Sequence, residues 1–280
     1  MLKHARHHGF FGTEGQAALR GQVVVVAGCG GNGNHVIPQL AALGVKRIIC
    51  IEDEELSETN RNRYILARHA DPVPGTHKVD IAQRAVLAID PDVEFTPVKA
   101  SIRSAEAFEA MRQATATFGC FDNDGARLVL MEFACAYDIP LFDLATDIPI
   151  GDVLDFGGRF TLVDRAPGCL VCMDLLDMEQ ARADLESAAA RIDREAIYGV
   201  PKDHLHGSGP SVVSINGVVA SLAVTEFVMH TTGLRAPARH LSYRGRTGVV
   251  TATKPAASSC YYCDKLKGQG DRSNWKRYLD

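Results

Sequence analysis

The sequence predicts an α/β fold with a Rossmann-like, mostly parallel sheet flanked by helices. Short apolar runs alternate with longer amphipathic stretches from Val23 onward, and a glycine-rich loop, GCGGNG, directly follows the first apolar run. Alternating strands and helices favour right-handed crossovers between parallel strands. Ligands of such sheets bind at the carboxyl ends of the strands, and we expect the functional residues there.

The elements of the first half follow from apolar periodicity. Short apolar runs bounded by turn residues indicate strands, and five segments fit: VVVVA, RIICI, FTPV, TFGCF and IPLFDL. Helices are predicted after the glycine loop as far as Leu43, in THKVDIAQRAVLAID, and in ARLVLMEFACAY. The second of these has apolar residues at three- and four-residue spacing, which is typical of an amphipathic helix.

The pattern changes after Thr146, where we predict an antiparallel extension of the same sheet. DVLDFGGRFTLVD is typical of an antiparallel hairpin, and a polar helix follows at 178–194. A long apolar helix ends at Gly233, and a strand pair occupies 240–253. The predicted organisation is an N-terminal arm (1–22), a nucleotide-binding half (23–150), a second half of the same domain (151–268) and a solvated basic tail (269–280).

Composition excludes several classes of protein. The chain has 280 residues, of which 46% are hydrophobic and 23% charged, so it can form a sizeable core and is not disordered. The net charge of −4 gives no electrostatic reason to expect nucleic-acid or membrane-surface binding. No apolar stretch approaches the ~18 residues of a membrane span, and the N-terminus has no signal core. We therefore expect a cytoplasmic protein with reduced thiols.

The glycine loop is a candidate nucleotide site. Gly28, Gly30 and Gly33 form G-x-G-x-x-G between a strand and a helix, with Gly31 as an additional glycine. Glycine lets the backbone approach a phosphate, and the helix N-terminus supplies free amides; a structural tight turn is the alternative. Glu52 ends the next strand, where a carboxylate can accept ribose hydroxyls. At this stage an NAD-dependent oxidoreductase fits equally well.

A basic cluster follows that a dehydrogenase does not need. Asn60, Arg61, Arg63 and Lys78 come shortly after Glu52. Each alone is typical of a solvated surface residue, but together, next to a glycine loop, they indicate binding of phosphates.

The phrase FDND places carboxylates at the end of another strand. Asp122 and Asp124 can hold Mg²⁺ against nucleotide phosphates. The alternative role is the N-cap of the following helix, which also suits Asn123. We expect the two carboxylates to divide these roles.

Two C-x-x-C pairs, Cys169/Cys172 and Cys260/Cys263, predict a structural zinc site, because two such turns supply four thiolates in a tetrahedron. A redox motif is the alternative for either pair, although neither opens a helix after a strand. The remaining cysteines lie singly in apolar surroundings.

Taken in order, GCGGNG, ICIEDE, NRNR, GTHK, FDNDGAR and the two C-x-x-C pairs resemble the ThiF/MoeB/HesA family of adenylyltransferases, which are similar to ubiquitin-activating enzymes. The resemblance implies an ATP site in which Glu52 binds ribose, where relatives usually carry Asp. It implies that Asn60, Arg63 and Lys78 bind the ATP phosphates. The glycines and Asn123 would complete the nucleotide site, and Asp122 would hold Mg²⁺.

The resemblance also implies a homodimer, because an N-terminal arginine of the partner subunit reaches the ATP site in this family. Arg6 is the candidate here. The second half, 151–268, would then bind the carrier and zinc, with Cys169, Cys172, Cys260 and Cys263 as ligands.

The expected reaction is adenylation of the C-terminal carboxylate of a ubiquitin-like or sulfur-carrier protein with a Gly-Gly-type tail, using Mg-ATP. Many relatives carry a thioester-forming cysteine before the second apolar helix, but YGVPKDHLHGSGPSVVSING has none. We therefore expect the reaction to stop at the acyl-adenylate. Two alternatives remain, a catalytically silent partner subunit of a heterodimer and an NAD-dependent oxidoreductase.

Overall fold

A computed structural model describes residues 2–149, 155–186, 210–253 and 259–279. The described part contains eight strands: β1 (Val23–Ala27), β2 (Arg47–Ile51), β3 (Glu94–Val98), β4 (Ala116–Gly119), β5 (Leu141–Asp147), β6 (Gly157–Val163), β7 (His240–Arg244) and β8 (Val249–Ala252). They form one sheet in the order β3-β2-β1-β4-β5-β6-β7-β8. The first five strands are parallel to one another, and β6, β7 and β8 extend the sheet through antiparallel pairs.

Seven α-helices are described: α1 (Ala5–Arg20), α2 (Gly33–Leu43), α3 (Lys78–Ile89), α4 (Ala105–Met111), α5 (Asp124–Tyr137), α6 (Met178–Leu185) and α7 (Val213–Thr232). They cover both faces of the sheet. Val24 and Val26 pack with α2, α3 and α7 on one face, whereas Val25 packs with α4 and α5 on the other. Successive strand residues face opposite sides, so β1 has to be apolar throughout.

Most predicted elements are confirmed. The strands of VVVVA and RIICI and the helix beginning at Lys78 agree with the structure, and the apolar helix ends at Gly233 with φ +68°. β4 ends at Gly119, two residues earlier than predicted. Of the polar helix predicted for 178–194, α6 is present, and its remainder lies outside the described residues beyond 186.

The predicted hairpin in DVLDFGGRFTLVD is wrong for the residues described, because they form the single strand β6, paired with β5 and β7. The two glycines of this segment, Gly157 and Gly158, lie inside the strand. A Cβ on Gly157 would lie 2.0 Å from the Tyr243 carbonyl oxygen, and one on Gly158 would lie 2.6 Å from that of Ala145. These glycines therefore permit close approach of neighbouring strands.

The N-terminal arm is a packed helix. In α1, Leu19 is buried, and Gln16 Nε2 donates to the Leu43 carbonyl oxygen at the end of α2 at 2.7 Å. Gly12 has φ +70° and marks a kink in the helix. Arg6 lies before this kink and is exposed.

The prediction of a solvated C-terminal tail is wrong for the described residues up to 279. Trp275 stacks on Phe108 with ring centroids 4.6 Å apart, and Tyr278 is buried. Arg277 Nη2 forms an ion pair with Glu132 of α5 at 2.5 Å. The aromatic residues between the basic ones anchor the segment on α4 and α5. Burying a large aromatic ring stabilises the segment by more than the conformational entropy that is lost when it becomes ordered.

One helix of the described part, α7, is long and apolar enough to cross a membrane by length and composition. Its residues Val219, Ala223 and Phe227 are nevertheless fully buried against the sheet. Because it packs on β5 and β6, α7 acts here as a core helix.

Candidate functional site

A cavity of about 1290 Å³ lies at the carboxyl ends of the parallel strands. It brings together six of the predicted site residues: Gly30, Gly31, Asn60, Arg63, Lys78 and Asp122. The other predicted residues do not line it: Arg6, Gly28, Gly33, Glu52 and Asn123. The cavity is where a parallel sheet binds its ligands.

The glycine loop joins β1 to α2, and its glycines serve different purposes. Gly28 has φ +92°, and a Cβ on Gly33 would lie 2.1 Å from the Gly28 carbonyl oxygen. A Cβ on Gly31 would lie 2.5 Å from Asn216 Nδ2. At Gly30, nothing lies within 4 Å of an added Cβ. The chain itself therefore does not need glycine at Gly30, and the space left there fits a phosphate approaching the backbone.

Glu52 supports the glycine loop through hydrogen bonds to backbone amides. Its Oε2 accepts from the Cys29 amide at 2.9 Å, and its Oε1 accepts from the Glu54 amide at 3.1 Å. Burial raises the pKa of this carboxyl, while the Lys78 charge acts in the opposite direction. Because both oxygens already accept backbone hydrogen bonds, the structure gives Glu52 a loop-supporting role, and ribose binding stays a prediction.

Glu54, shortly after this strand, lines the cavity together with Glu55, and sequence reasoning missed both. Glu54 forms an ion pair with Lys78 Nζ. The lysine is only 3% exposed, whereas the Glu54 side chain is 68% exposed. The position of Glu54 shortly after β2, at the carboxyl end of a parallel strand, is the signal that could have found it.

The segment between β2 and α3 positions the other cationic and amide groups. Arg63 is half-buried, and its Nη1 donates to the Thr59 carbonyl oxygen at 2.6 Å. Among the described residues, no carboxylate lies within ion-pair distance of Arg63, so its charge remains available to a ligand. Asn60 Oδ1 accepts from the Ser57 amide at 3.0 Å, and this hydrogen bond closes the turn that precedes Arg63.

The FDND phrase leads from β4 into α5. Asp122 is exposed on the cavity wall. Asn123 is the N-cap, because its Oδ1 accepts from the Ala126 amide at 2.8 Å. Asp124 instead pairs with Arg127 at 2.8 Å, so the expectation that Asp122 and Asp124 would divide metal binding and capping is wrong. A nucleotide contact for Asn123 stays a prediction.

Sequence reasoning gave no role to Arg127, which also lines the cavity. Its Nη2 and Nε donate to the two oxygens of Asp143 on β5, at 2.6 and 3.2 Å. Burial lowers the pKa of this guanidinium, but the two carboxylates outweigh burial and the net shift is upward. The pair fixes the start of α5 against β5.

The paired cysteines converge at one point. The four Sγ atoms of Cys169, Cys172, Cys260 and Cys263 all lie within 4.8 Å of one another. Cys169 Sγ lies 3.6 Å from Cys260 Sγ, and Cys172 Sγ lies 3.9 Å from Cys263 Sγ. A tetrahedral zinc with Zn–S bonds of about 2.3 Å requires sulfurs about 3.8 Å apart. The cluster could therefore hold zinc and join the loop after β6 to the C-terminal segment.

The other four cysteines are buried: Cys29, Cys50, Cys120 and Cys135. Burial raises the pKa of Cys120, and raises that of Cys135 to about 12. Thiols with raised pKa values are poor nucleophiles at neutral pH. The burial of all four agrees with the apolar surroundings in which they occur in the sequence.

Comparison with known proteins agrees with this geometry. The ThiF family matches residues 4–245. The chain is 30% identical over 162 residues to the SAMP-activating enzyme E1 of Haloferax volcanii, covering 58% of this chain and 57% of that protein. It is 30% identical over 177 residues to the molybdopterin-synthase adenylyltransferase of Escherichia coli, covering 63% and 68%.

The sheet and its flanking helices also match solved structures. The crystal structure of E. coli MccB with ATP superposes with a TM-score of 0.67 at 19% identity, covering 93% of this chain and 74% of that one. This confirms the predicted Rossmann-like fold. With the family match extending over most of the sequence, the chain belongs to the ThiF family.

Proposed function

We propose that this protein adenylates the C-terminal carboxylate of a ubiquitin-like or sulfur-carrier protein, using ATP and releasing pyrophosphate. The observation that carries the proposal is the shared cavity, in which the open Gly30 backbone faces the same space as Arg63, Lys78 and Asp122. Two cations, an exposed carboxylate and a glycine loop match a triphosphate with its counter-ion.

In the proposed step, an oxygen of the carrier carboxylate attacks the α-phosphorus of ATP. A carboxyl O–P bond forms, and the bond between the α-phosphorus and the bridging oxygen breaks. That oxygen leaves with the electron pair as part of pyrophosphate. Arg63 and Lys78 bind and orient the phosphates and counter the negative charge that accumulates on the leaving group.

Asp122 is the proposed holder of Mg²⁺. Its side chain is exposed in the cavity, and no described cation forms an ion pair with it, so a divalent ion can use its oxygens. When bound, Mg²⁺ supplies charge neutralisation on the phosphates. For the cysteine cluster we propose structural zinc, since four thiolates leave no open coordination position for catalysis.

The carrier is proposed from the names of the relatives, an activating enzyme for SAMP and an adenylyltransferase for molybdopterin synthase. A flexible tail ending in small residues has no side chains to hinder its approach to the α-phosphate. The segment preceding α7 lies mainly outside the described residues, and residues 187–209 contain no cysteine. We propose that the product is the acyl-adenylate and that another molecule attacks it.

A homodimer is part of the proposal. Arg6 is exposed on α1 and does not line the cavity of its own chain. An arginine that acts in the reaction from this position has to reach the cavity of a second copy. Arg6 would then add a cation to the phosphates of the partner.

The oxidoreductase alternative is disfavoured because two cations, Arg63 and Lys78, line the cavity, and a dehydrogenase does not need them. A silent subunit is disfavoured because Arg63, Lys78 and Asp122 all line one cavity. ATP–pyrophosphate exchange by the purified chain, with candidate carriers added, tests the function directly.

We expect Arg63→Ala and Asp122→Ala each to abolish exchange. Matched controls are Arg68→Ala and Asp53→Ala, which change exposed residues nearby that do not line the cavity. Near-normal exchange in either cavity variant would refute the assigned roles. NADH binding by the wild type, without any exchange, would favour the oxidoreductase.

A further inference from the structure

Arg159 lies in the middle of β6, opposite Ala145 of β5 and Ser242 of β7. Its side chain lines the same cavity as the glycine loop. Val163, four residues further along the strand, packs with α5 on that face of the sheet. The alternation of strand residues therefore places Arg159 on the α5 side.

The guanidinium of Arg159 has no carboxylate partner among the described residues. Its Nη2 donates to the Leu175 carbonyl oxygen at 2.6 Å, and its Nε is buried without any hydrogen-bond partner. Three carboxylates have charges that act on Arg159: Asp143, Asp124 and Asp147. Asp143 gives both oxygens to Arg127, Asp124 also pairs with Arg127, and none of the three forms an ion pair with Arg159. Burial, followed by the charge of Arg127, lowers the pKa of Arg159.

Arg159 is half-buried, and leaving its buried Nε without a partner is costly unless an anion binds there. β6, which carries Arg159, lies three strands from β1, about 14 Å across the sheet. Arg159 therefore lines the cavity on the side away from the loop after β1, to which the proposed function assigns the triphosphate. We expect an anion at Arg159 to belong to the other substrate.

We propose that Arg159 is a specificity-determining residue that binds a carboxylate of the carrier tail; this inference rests on the proposed function. The planar fork of arginine suits a carboxylate, which accepts two parallel hydrogen bonds. The carboxylate is either the reacting C-terminus or the side chain of an acidic residue close to it. Both share one chemistry, and peptides can distinguish them.

The test uses fluorescent decapeptides ending in Gly-Gly, with Glu at the third position from the end, bound to the full chain with an uncleavable ATP analogue. Two further probes replace the terminal carboxylate by an amide or the Glu by Gln. We expect Arg159→Gln to weaken binding of the first peptide about 10- to 100-fold. We expect the affinity for the ATP analogue to stay unchanged.

One of the two altered peptides should bind the wild type more weakly than the first peptide does, by the same factor. The same alteration should not weaken binding to Arg159→Gln any further, and this identifies the carboxylate that Arg159 binds. Arg159→Lys keeps the charge without the fork and should regain part of the affinity; it also serves if Arg159→Gln fails to fold. The matched control, Arg244→Gln, changes an exposed arginine of β7 that does not line the cavity and should bind as the wild type does.

Three results would overturn the inference: equal peptide binding by wild type and Arg159→Gln, loss of nucleotide affinity in that variant, or no peptide binding by the wild type. Pyrophosphate exchange separates this from the proposed function. A wild type that exchanges normally while Arg159→Gln binds every peptide equally well contradicts only the role of Arg159. A wild type without exchange contradicts the proposed function itself.

Discussion

Arg84 of α3 binds both carboxylate oxygens of Asp71, with Nη1 2.6 Å from Oδ1 and Nη2 2.8 Å from Oδ2. Asp71 Oδ2 also accepts from the Arg68 amide at 2.7 Å. The Asp71 carboxylate thereby links the segment that carries Arg63 to α3, the helix that begins with Lys78. Two phosphate-binding candidates from separate elements are held in one arrangement by a pair outside the cavity.

This ion pair should make stability depend on pH. The Arg84 hydrogen bonds hold the pKa of Asp71 at about 2, below its ordinary value of 3.8. A lowered pKa means that the stabilisation is present above about pH 4 and is lost as the pH falls through about 2. After allowance for the partial exposure of Arg84, we expect Asp71→Asn to cost about 1–2 kcal/mol at pH 7.

Urea denaturation of wild type and Asp71→Asn at several pH values between 7 and 2.5 measures this. The difference in the free energy of unfolding should be constant down to about pH 4 and then shrink. Asp92→Asn, at an exposed site, is the control for a lost surface charge. A difference that grows toward low pH contradicts the sign of the shift.

The two glycines of the loop should respond differently to alanine. Gly33→Ala forces a methyl group against the Gly28 carbonyl oxygen, where a Cβ would lie at 2.1 Å, and should destabilise the fold by about 1–3 kcal/mol. Gly30→Ala meets open space and should preserve the melting temperature. It should weaken ATP binding at least about tenfold, because the methyl group fills the space proposed for phosphate.

Thermal unfolding with and without ATP separates the two effects. Unchanged ATP affinity in Gly30→Ala would mean that the phosphates do not approach the loop at this glycine. A melting temperature of Gly33→Ala equal to that of the wild type would show that the loop can open there without cost.

Sequence reasoning succeeded where local pattern decides structure. Val23–Ala27 and Arg47–Ile51 are apolar runs because both faces of these strands are covered. The hairpin predicted within DVLDFGGRFTLVD is wrong, because the described residues of this segment form one strand whose partners, β5 and β7, lie outside the segment. Local pattern does not show which strands will be neighbours.

The site was predictable in part for a related reason. Gly30, Arg63 and Lys78 are marked by short motifs at strand ends, and strand order in a parallel sheet brings such ends together. The pairing of Arg127 with Asp143 could not be predicted, since it depends on β4 and β5 being neighbours. Likewise, nothing local marks Arg159 as lining the same cavity.

The cysteine cluster should hold one zinc per chain. We expect elemental analysis of the purified protein to find one equivalent, and Cys260→Ser to lose it together with stability, because the metal joins two distant segments. Cys135→Ser changes a buried cysteine outside the cluster and should keep its zinc. Full zinc content in Cys260→Ser would place the metal elsewhere.

Arg6 should act across a dimer interface. Arg6→Ala and Arg63→Ala should each lack pyrophosphate exchange, for different reasons. In a mixed dimer, the Arg6→Ala subunit keeps its own Arg63 and receives Arg6 from its partner, which restores one site. Random mixing after subunit exchange should therefore recover about a quarter of wild-type activity.

Sedimentation of the mixture confirms that dimers are present. If dimers form and mixing restores no activity, Arg6 does not serve the second subunit; full activity of Arg6→Ala alone would exclude it from the reaction altogether.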